Sequence, residues 1–124
     1  MDVLIADDST LVREHFINRL DDVPHVGLKL QAADAYEAYE MIDEYNPDVV
    51  IVDIHMPGNG LELVKKIKSG QVMPRVVIML TNYATEQYRK AAKALGVNYF
   101  FDKTAEFEEA FALLRSLSNQ LSDT

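Results

Sequence analysis

Three short segments are apolar at every position, and this feature restricts the fold more than any other. They are residues 3–5, 49–52 and 76–80. A strand with one face in water alternates apolar and polar residues, whereas a strand covered on both faces is apolar throughout. The pattern therefore predicts a parallel sheet with helices on both sides. The full set of predicted strands is 3–6, 26–32, 49–54, 76–80 and 98–101.

Helical patterns lie between these strands. Apolar residues recur there at spacings of three and four, as on the buried face of a helix. These stripes are Val12, Phe16 and Leu20; Ala35, Ala38, Tyr39 and Ile42; Tyr88, Ala91, Ala92 and Leu95; and Phe107, Phe111, Leu114, Leu117 and Leu121. Regular alternation with right-handed crossovers predicts an α/β fold, a doubly wound five-stranded parallel sheet with five helices.

Helix ends are predicted from capping residues. Asp34 fits the N-cap of the second helix, and Gly96 fits a left-handed C-terminal cap of the fourth. Pro47 and Pro74 are expected to stop helices just before strands three and four. Thr104 is expected to cap the last helix at its N-terminus.

Charge and cysteine content exclude several classes of function. The chain of 124 residues has no cysteine, so disulfides and thiolate metal sites are excluded. Its formal net charge of −8 repels phosphates, so no direct nucleic acid binding is expected. The only tight basic group is Lys65, Lys66 and Lys68, which is expected to be a solvated helix face.

The chain carries no signal for membrane insertion or export. It has no apolar run approaching the ~20 residues of a membrane span, and no basic leader. We therefore expect a cytoplasmic location and no membrane association. Without a linker or low-complexity tract, residues 1–124 are expected to form a single, stand-alone domain with no output domain.

Polar residues follow the predicted strands where each strand ends. Asp7 and Asp8 follow the first strand, Asp53 the third, Thr81 the fourth and Lys103 the fifth. Ligands bind in such sheets at the carboxyl ends of the strands, at the point between strands one and three where the strand order reverses. Each residue has an ordinary explanation by itself, such as a helix start or a turn. Their convergence on one edge indicates a site.

The residue types at this edge fit one chemistry. Three neighbouring carboxylates repel one another, and a divalent cation relieves that repulsion. Mg²⁺ suits a site with few carboxylates because it keeps several waters and accepts phosphate oxygens. Asp53 is the candidate nucleophile, since carboxylates form aspartyl phosphates. Lys103 and Thr81 would stabilise the transferred phosphoryl group.

These residues resemble a known family, the receiver domains of bacterial response regulators. The resemblance covers essentially the whole chain. Its motifs are Asp7-Asp8, the segment 50–58 around Asp53, Thr81, and Phe100-Phe101-Asp102-Lys103. It implies a flavodoxin-like sheet of order 2-1-3-4-5. It also implies a phosphoacceptor of a two-component phosphorelay that takes a phosphoryl group on Asp53 from a phosphohistidine donor.

The resemblance also implies a role for each site residue. Asp8 and Asp53 would bind Mg²⁺ through their side chains, Asp7 through a water, and His55 through its backbone carbonyl. Thr81 would move toward the phosphoryl group and Lys103 would assist catalysis. The domain would catalyse only its own phosphorylation and dephosphorylation, so it is not expected to be an enzyme otherwise.

Further roles concern switching and lifetime. Phe100 occupies the family's aromatic switch position, although a core aromatic explains it equally well. His55 and Tyr83 occupy positions that tune dephosphorylation in the family. Three residues depart from the usual pattern: Thr104 replaces a proline, Asn82 replaces a smaller residue, and Phe100 lacks the hydroxyl of a tyrosine.

The implied partners are proteins. A histidine kinase or histidine phosphotransfer protein would dock on helices one and five, and a downstream protein target would bind the face of helix four, strand five and helix five. The domain would be a monomer or a phosphorylation-dependent dimer.

Three alternatives remain open. A phosphohydrolase of the haloacid dehalogenase type would need a second aspartate where His55 lies. A flavodoxin-like nucleotide binder would need a phosphate loop where Asp7 and Asp8 lie. A pseudo-receiver would keep the fold and never be phosphorylated.

Overall fold

A computed structural model describes residues 1–122 as a five-stranded parallel sheet with five helices. The strands lie in the order β2-β1-β3-β4-β5, so the predicted fold class and strand order are confirmed. The strands are β1 Val3–Ala6, β2 Lys29–Ala32, β3 Val49–Val52, β4 Val76–Thr81 and β5 Tyr99–Asp102. The helices are α1 Thr10–Leu20, α2 Ala35–Tyr45, α3 Gly60–Ser69, α4 Glu86–Ala94 and α5 Phe107–Ser122. Within the described part of the chain, none of these helices combines the length and the apolar character needed to cross a membrane.

The sheet separates two hydrophobic cores. One core contains Phe16 of α1 and Phe111 of α5, and the other contains Ile42 of α2, Val64 of α3 and Ala92 of α4. Each central strand is buried because its successive side chains point alternately into one core and the other. Since α1 lies on one side and α2 on the other, the chain changes side between β1 and β3. This change opens a crevice at the carboxyl ends of those two strands.

Several strand bounds differ from the predicted ones. β2 begins only at Lys29, because the backbone N–H of Gly27 is bonded to the carbonyl of Met1 instead of extending the ladder. β3 ends at Val52, yet the N–H of Asp53 still donates to the carbonyl of Ala6 at 3.0 Å. That hydrogen bond fixes Asp53 against the end of β1.

One predicted N-terminal cap and one predicted C-terminal cap are confirmed. The side chain of Asp34 accepts a hydrogen bond from the backbone N–H of Glu37 at 2.8 Å. Gly96 follows the last turn of α4 with φ 87°, a left-handed conformation that favours glycine. The stop at Pro47 is also confirmed, because α2 ends at Tyr45.

Two other predicted helix ends are wrong. α3 ends at Ser69 with Gly70 as its cap, so Pro74 lies too far along the chain to stop it. α5 begins at Phe107, and Thr104 does not cap it. The hydroxyl of Thr104 donates instead to the side-chain oxygen of Asn82 at 3.1 Å. The threonine therefore bonds to the loop after β4 and not to the first turn of α5.

Candidate functional site

Three carboxylates converge at the carboxyl edge of the sheet. Asp7, Asp8 and Asp53 each offer an oxygen within 4.8 Å of the others, a grouping that could hold a metal ion. Asp7 is 1% exposed and Asp53 is 6% exposed, whereas Asp8 is exposed to solvent. The site is thus a crevice with two buried acids and one acid at its mouth.

Lys103 reaches into this crevice from the loop after β5. Its Nζ lies 2.5 Å from Oδ2 of Asp7 and 2.9 Å from Oδ2 of Asp53, with 11% of the side chain exposed. Burial raises the pKa of the Asp7 carboxyl, and the hydrogen bond from Lys103 opposes that rise. Burial lowers the pKa of Lys103, but its hydrogen bonds to Asp7 and Asp53 outweigh burial and leave that pKa raised. The lysine is therefore held in its charged form.

The chemistry of this donor set fits a hard divalent cation. Three carboxylates face one ammonium group, so a single lysine does not neutralise the site. In addition, Oδ1 of Asp53 is buried and has no hydrogen-bond partner. Buried polar atoms of proteins are nearly always paired, and oxygen ligands are those that Ca²⁺ and Mg²⁺ prefer. The crevice thus has both the charge and the free oxygen that a cation requires.

Local structure at the start of α1 positions Asp7. Its Oδ1 accepts a hydrogen bond from the N–H of Ser9 at 2.9 Å, and Ser9 in turn caps α1 at Val12. The guanidinium of Arg13 donates to the carbonyl oxygen of Asp7 at 2.7 Å. Sequence reasoning missed Arg13, whose only signal was its place one turn into the helix that follows the aspartates.

Gly60 is a second residue that sequence reasoning missed. A Cβ at this position would lie 2.1 Å from the backbone oxygen of Asp53 and 2.9 Å from Cα of Ile54. The N–H of Gly60 donates to the carbonyl of Ile54 at 2.8 Å. The first residue of α3 therefore packs directly on the backbone of Asp53, and only a glycine fits. Its signal in the sequence was the pair of glycines shortly after Pro57.

Thr81 lies at the same edge of the sheet. It is fully buried at the end of β4, and its carbonyl accepts a hydrogen bond from the N–H of Lys103 at 2.9 Å. Its hydroxyl oxygen accepts from the N–H of Tyr83 at 3.2 Å, which leaves the hydroxyl proton free to be donated. The backbone thus joins Thr81 to Lys103 next to the acidic cluster.

His55 and Tyr83 are in contact. Their ring centroids are 3.8 Å apart, and the ring of Tyr88 on α4 lies 5.7 Å from that of His55. The loop after Asp53 and the loop after Thr81 are therefore connected to each other and to α4. The effect of these two residues on dephosphorylation stays a prediction.

Phe100 does not join the acidic cluster. It is half-buried on β5, beside Met79 of β4, and it packs against the core beneath α4. The guanidinium of Arg89 lies 4.8 Å from its ring centroid and donates to Oε1 of Glu106 at 3.1 Å. Arg89, which sequence reasoning missed, thus joins α4, β5 and the loop before α5.

Replacing Arg89 with alanine is expected to lower the free energy of unfolding by about 1 kcal/mol, because it removes a cation–π contact and a partly exposed ion pair. Chemical denaturation measures this loss. Lys90→Ala is the matched control, since Lys90 forms only an exposed pair with Glu86 one turn away. Equal losses in the two variants would mean that Arg89 does not stabilise the contact between α4, β5 and the loop before α5.

The family model described as "Response regulator receiver domain" matches residues 3–115. The chain belongs to the response regulator receiver domain family. This membership makes it a signalling phosphoacceptor domain of the type found in two-component response regulators.

Individual relatives agree with the family. The two-component response regulator PhoP of Pseudomonas aeruginosa is 32% identical over 98% of this chain and 53% of its own length. A protein-glutamate methylesterase/protein-glutamine glutaminase of Rhizobium etli is 38% identical over 76% of this chain and 27% of its own length. The chain thus spans about half or less of the length of these curated relatives.

Solved receiver structures show the same fold. The response regulator domain of Thermotoga maritima CheB has a TM-score of 0.84 and 28% identity, with 96% of each chain covered. The chemotaxis protein CheY4 of Vibrio cholerae has a TM-score of 0.80 and 28% identity, with 93% of this chain and 96% of its own covered. Receiver domains of this fold therefore occur in proteins named as methylesterases and in chemotaxis proteins.

Proposed function

We propose that this receiver domain accepts a phosphoryl group on Asp53 from a phosphohistidine of a partner protein, in the presence of Mg²⁺. One observation carries the proposal. The buried carboxylate of Asp53 has Lys103 on one oxygen and no protein partner on the other. A carboxylate held in this way, beside two further acids, has both a neutralising cation and an oxygen free for chemistry.

The proposed step is an in-line displacement. A carboxylate oxygen of Asp53 attacks phosphorus, an O–P bond forms, and the N–P bond to the donor imidazole breaks with its electron pair left on nitrogen. Lys103 stabilises negative charge on the phosphoryl oxygens, and the hydroxyl of Thr81 donates a hydrogen bond to one of them. Lys103 already contacts Asp53, and Thr81 would move toward the phosphoryl group to make its bond.

The metal ligands in this proposal are the side chains of Asp8 and Asp53, the backbone carbonyl of His55, and Asp7 through a water. When bound, Mg²⁺ supplies charge neutralisation and orientation of the phosphoryl oxygens. Asp8 is the exposed member of the cluster, which suits an ion that keeps several waters.

Phosphorylation is expected to be visible by intact mass spectrometry. Incubation with a small acyl phosphate and Mg²⁺ should add the mass of one phosphoryl group to the wild-type chain. Asp53→Asn and a sample with a chelator should each remain unmodified, because the first lacks the nucleophile and the second lacks the cation. An unmodified wild type with both a small donor and a kinase would favour the pseudo-receiver.

The other open alternatives are less well supported. Two residues after Asp53, where a phosphohydrolase would hold an acid, the His55 ring contacts that of Tyr83, with ring centroids 3.8 Å apart. The carboxylate of Asp7 is buried where a nucleotide phosphate would bind.

We also infer that His55 and Tyr83 set the lifetime of the phosphorylated state and that Thr81 and Phe100 carry its switch. We further infer that the protein acts in the cytoplasm.

The phosphodonor is proposed to dock beside the crevice, between α1 and the loop before α5. A groove of about 420 Å³ is lined there by Leu11, His15, Lys103, Thr104 and Phe107 among others. Leu11 is 79% exposed, and the ring of His15 stacks on Phe107 at 5.4 Å. An exposed apolar residue beside the acceptor site suits contact with a helical histidine donor.

Leu11→Asp is expected to slow phosphotransfer from a purified histidine kinase or phosphotransfer protein by about tenfold, because a charge replaces an apolar contact. Phosphorylation by a small acyl phosphate should stay unchanged, since Leu11 is an exposed residue outside the acidic cluster. Leu28→Asp, an exposed leucine before β2, is the matched control. Equal rates of protein-dependent transfer in both variants would contradict this docking surface.

A further inference from the structure

A surface groove runs between α2 and α3, on the side of the sheet opposite to α1 and α5. Its volume is about 490 Å³, and Tyr36, Tyr39, Leu63, Lys65 and Lys66 contribute to its walls. Tyr36 is 68% exposed, and its ring lies against Gly58. We name this feature the α2–α3 groove. Neither the acceptor chemistry nor the donor surface uses it.

Positive charge is concentrated at this groove. Lys65 and Lys66 are exposed, and neither forms an ion pair with any residue that the structure describes. Nζ of Lys66 lies 4.1 Å from the ring centroid of Tyr39 and is thereby held at the groove. Lys68 lies elsewhere, against Gly96. One acid, Glu62, also lines the groove, so its two lysines leave a net positive charge in a chain whose net charge is −8.

We propose that the α2–α3 groove binds an acidic segment of a partner protein that also carries an apolar side chain. The carboxylates would pair with Lys65 and Lys66, and the apolar side chain would pack against the exposed ring of Tyr36, above the buried Leu63. Lys65, Lys66 and Lys68 are expected from the sequence to lie on one solvated helix face. In this proposal, Lys65 and Lys66 belong to a binding surface and Lys68 does not. This proposal is independent of the phosphorylation of Asp53.

The shape and charge of the chain favour a peptide over other anionic partners. A short segment can lie in the groove without approaching the acidic remainder of the surface. A planar anionic membrane or a nucleic acid would face that remainder as well and be repelled by it. The concave form of the groove also suits inserted side chains better than a flat surface.

The groove adjoins the loop that carries Asp53. Gly58 of that loop contributes to the groove with φ 86°, and a Cβ there would lie 2.7 Å from Cβ of Ala35. The carbonyl of Pro57 accepts a hydrogen bond from the N–H of Ala35 at 2.9 Å. An occupant would therefore touch both α2 and the loop after Asp53, so the amide of Gly58 should report binding.

The test is an NMR titration of the isotope-labelled chain with a synthetic peptide of alternating glutamate and leucine residues. Saturable shifts are expected at Tyr36, Gly58 and Lys66, and they should weaken as salt is raised. The peptide with lysine in place of glutamate should not produce saturable shifts at Tyr36 and Lys66. The double variant Lys65→Glu/Lys66→Glu should raise the Kd about tenfold or more.

The control variant is Lys90→Glu/Lys93→Glu on α4, which changes the net charge equally and should leave the Kd unchanged. Thermal melts of both double variants establish that each is folded. Equal weakening by the two double variants, or shifts spread over the whole surface, would overturn the proposal. So would binding of the labelled chain to anionic lipid vesicles but not to the acidic peptide, or self-association through the groove.

Discussion

Gly60→Ala is expected to destabilise the protein by about 3 kcal/mol or more, at the upper end of what overpacking costs. The new methyl group would lie 2.1 Å from the backbone oxygen of Asp53, far inside the contact distance of non-bonded carbon and oxygen atoms. The neighbours there are backbone atoms of Asp53 and Ile54, which cannot move aside as a flexible side chain would. Either α3 must shift or Asp53 must leave its position.

Chemical denaturation measures the loss, and phosphorylation by a small acyl phosphate measures the displacement of Asp53. Gly70→Ala is the matched control at the other end of α3. A Cβ there would meet the hydroxyl of Tyr39 at 3.2 Å, the movable end of a side chain, so a loss below about 1 kcal/mol is expected. A Gly60→Ala chain as stable and as readily phosphorylated as Gly70→Ala would refute the proposed contact.

Lys103→Met is expected to destabilise the metal-free protein by about 3 kcal/mol, because it leaves the buried carboxylates of Asp7 and Asp53 without a counter-charge. The raised pKa of Lys103 means that its ammonium is charged at neutral pH, so the full loss is expected there. In the wild type, this contribution should disappear only as the pH rises through that raised pKa.

Adding Mg²⁺ should recover part of the stability that Lys103→Met loses, since a bound cation supplies the missing positive charge. Denaturation with and without Mg²⁺ measures the recovery. The control is Lys93→Met, an exposed lysine on α4, which should cost less than about 0.5 kcal/mol. A Lys103→Met chain that is no less stable than Lys93→Met would show that Lys103 does not neutralise the crevice.

The sequence by itself determined the architecture of this protein. Continuous apolar runs such as 49–52 are typical of a strand covered on both faces, and the helical stripes between the runs supply the cover. The positions of Asp7, Asp8, Asp53, Thr81 and Lys103 then followed from topology, because parallel strands bring their carboxyl ends to one edge. Such patterns are local along the chain and can be read without coordinates.

Only the tertiary structure decided the contacts between residues that are distant along the chain. That Gly60 packs on the backbone of Asp53, and that Arg89 spans Phe100 and Glu106, depends on where whole elements lie after packing. The wrong cap at Thr104 has the same origin. A short polar residue before a helix has a local preference for capping, but the hydroxyl of Thr104 donates to the side-chain oxygen of Asn82, which the sheet places beside it at the end of β4. Packing of the sheet therefore overrides the local preference wherever the two compete for the same hydrogen bonds.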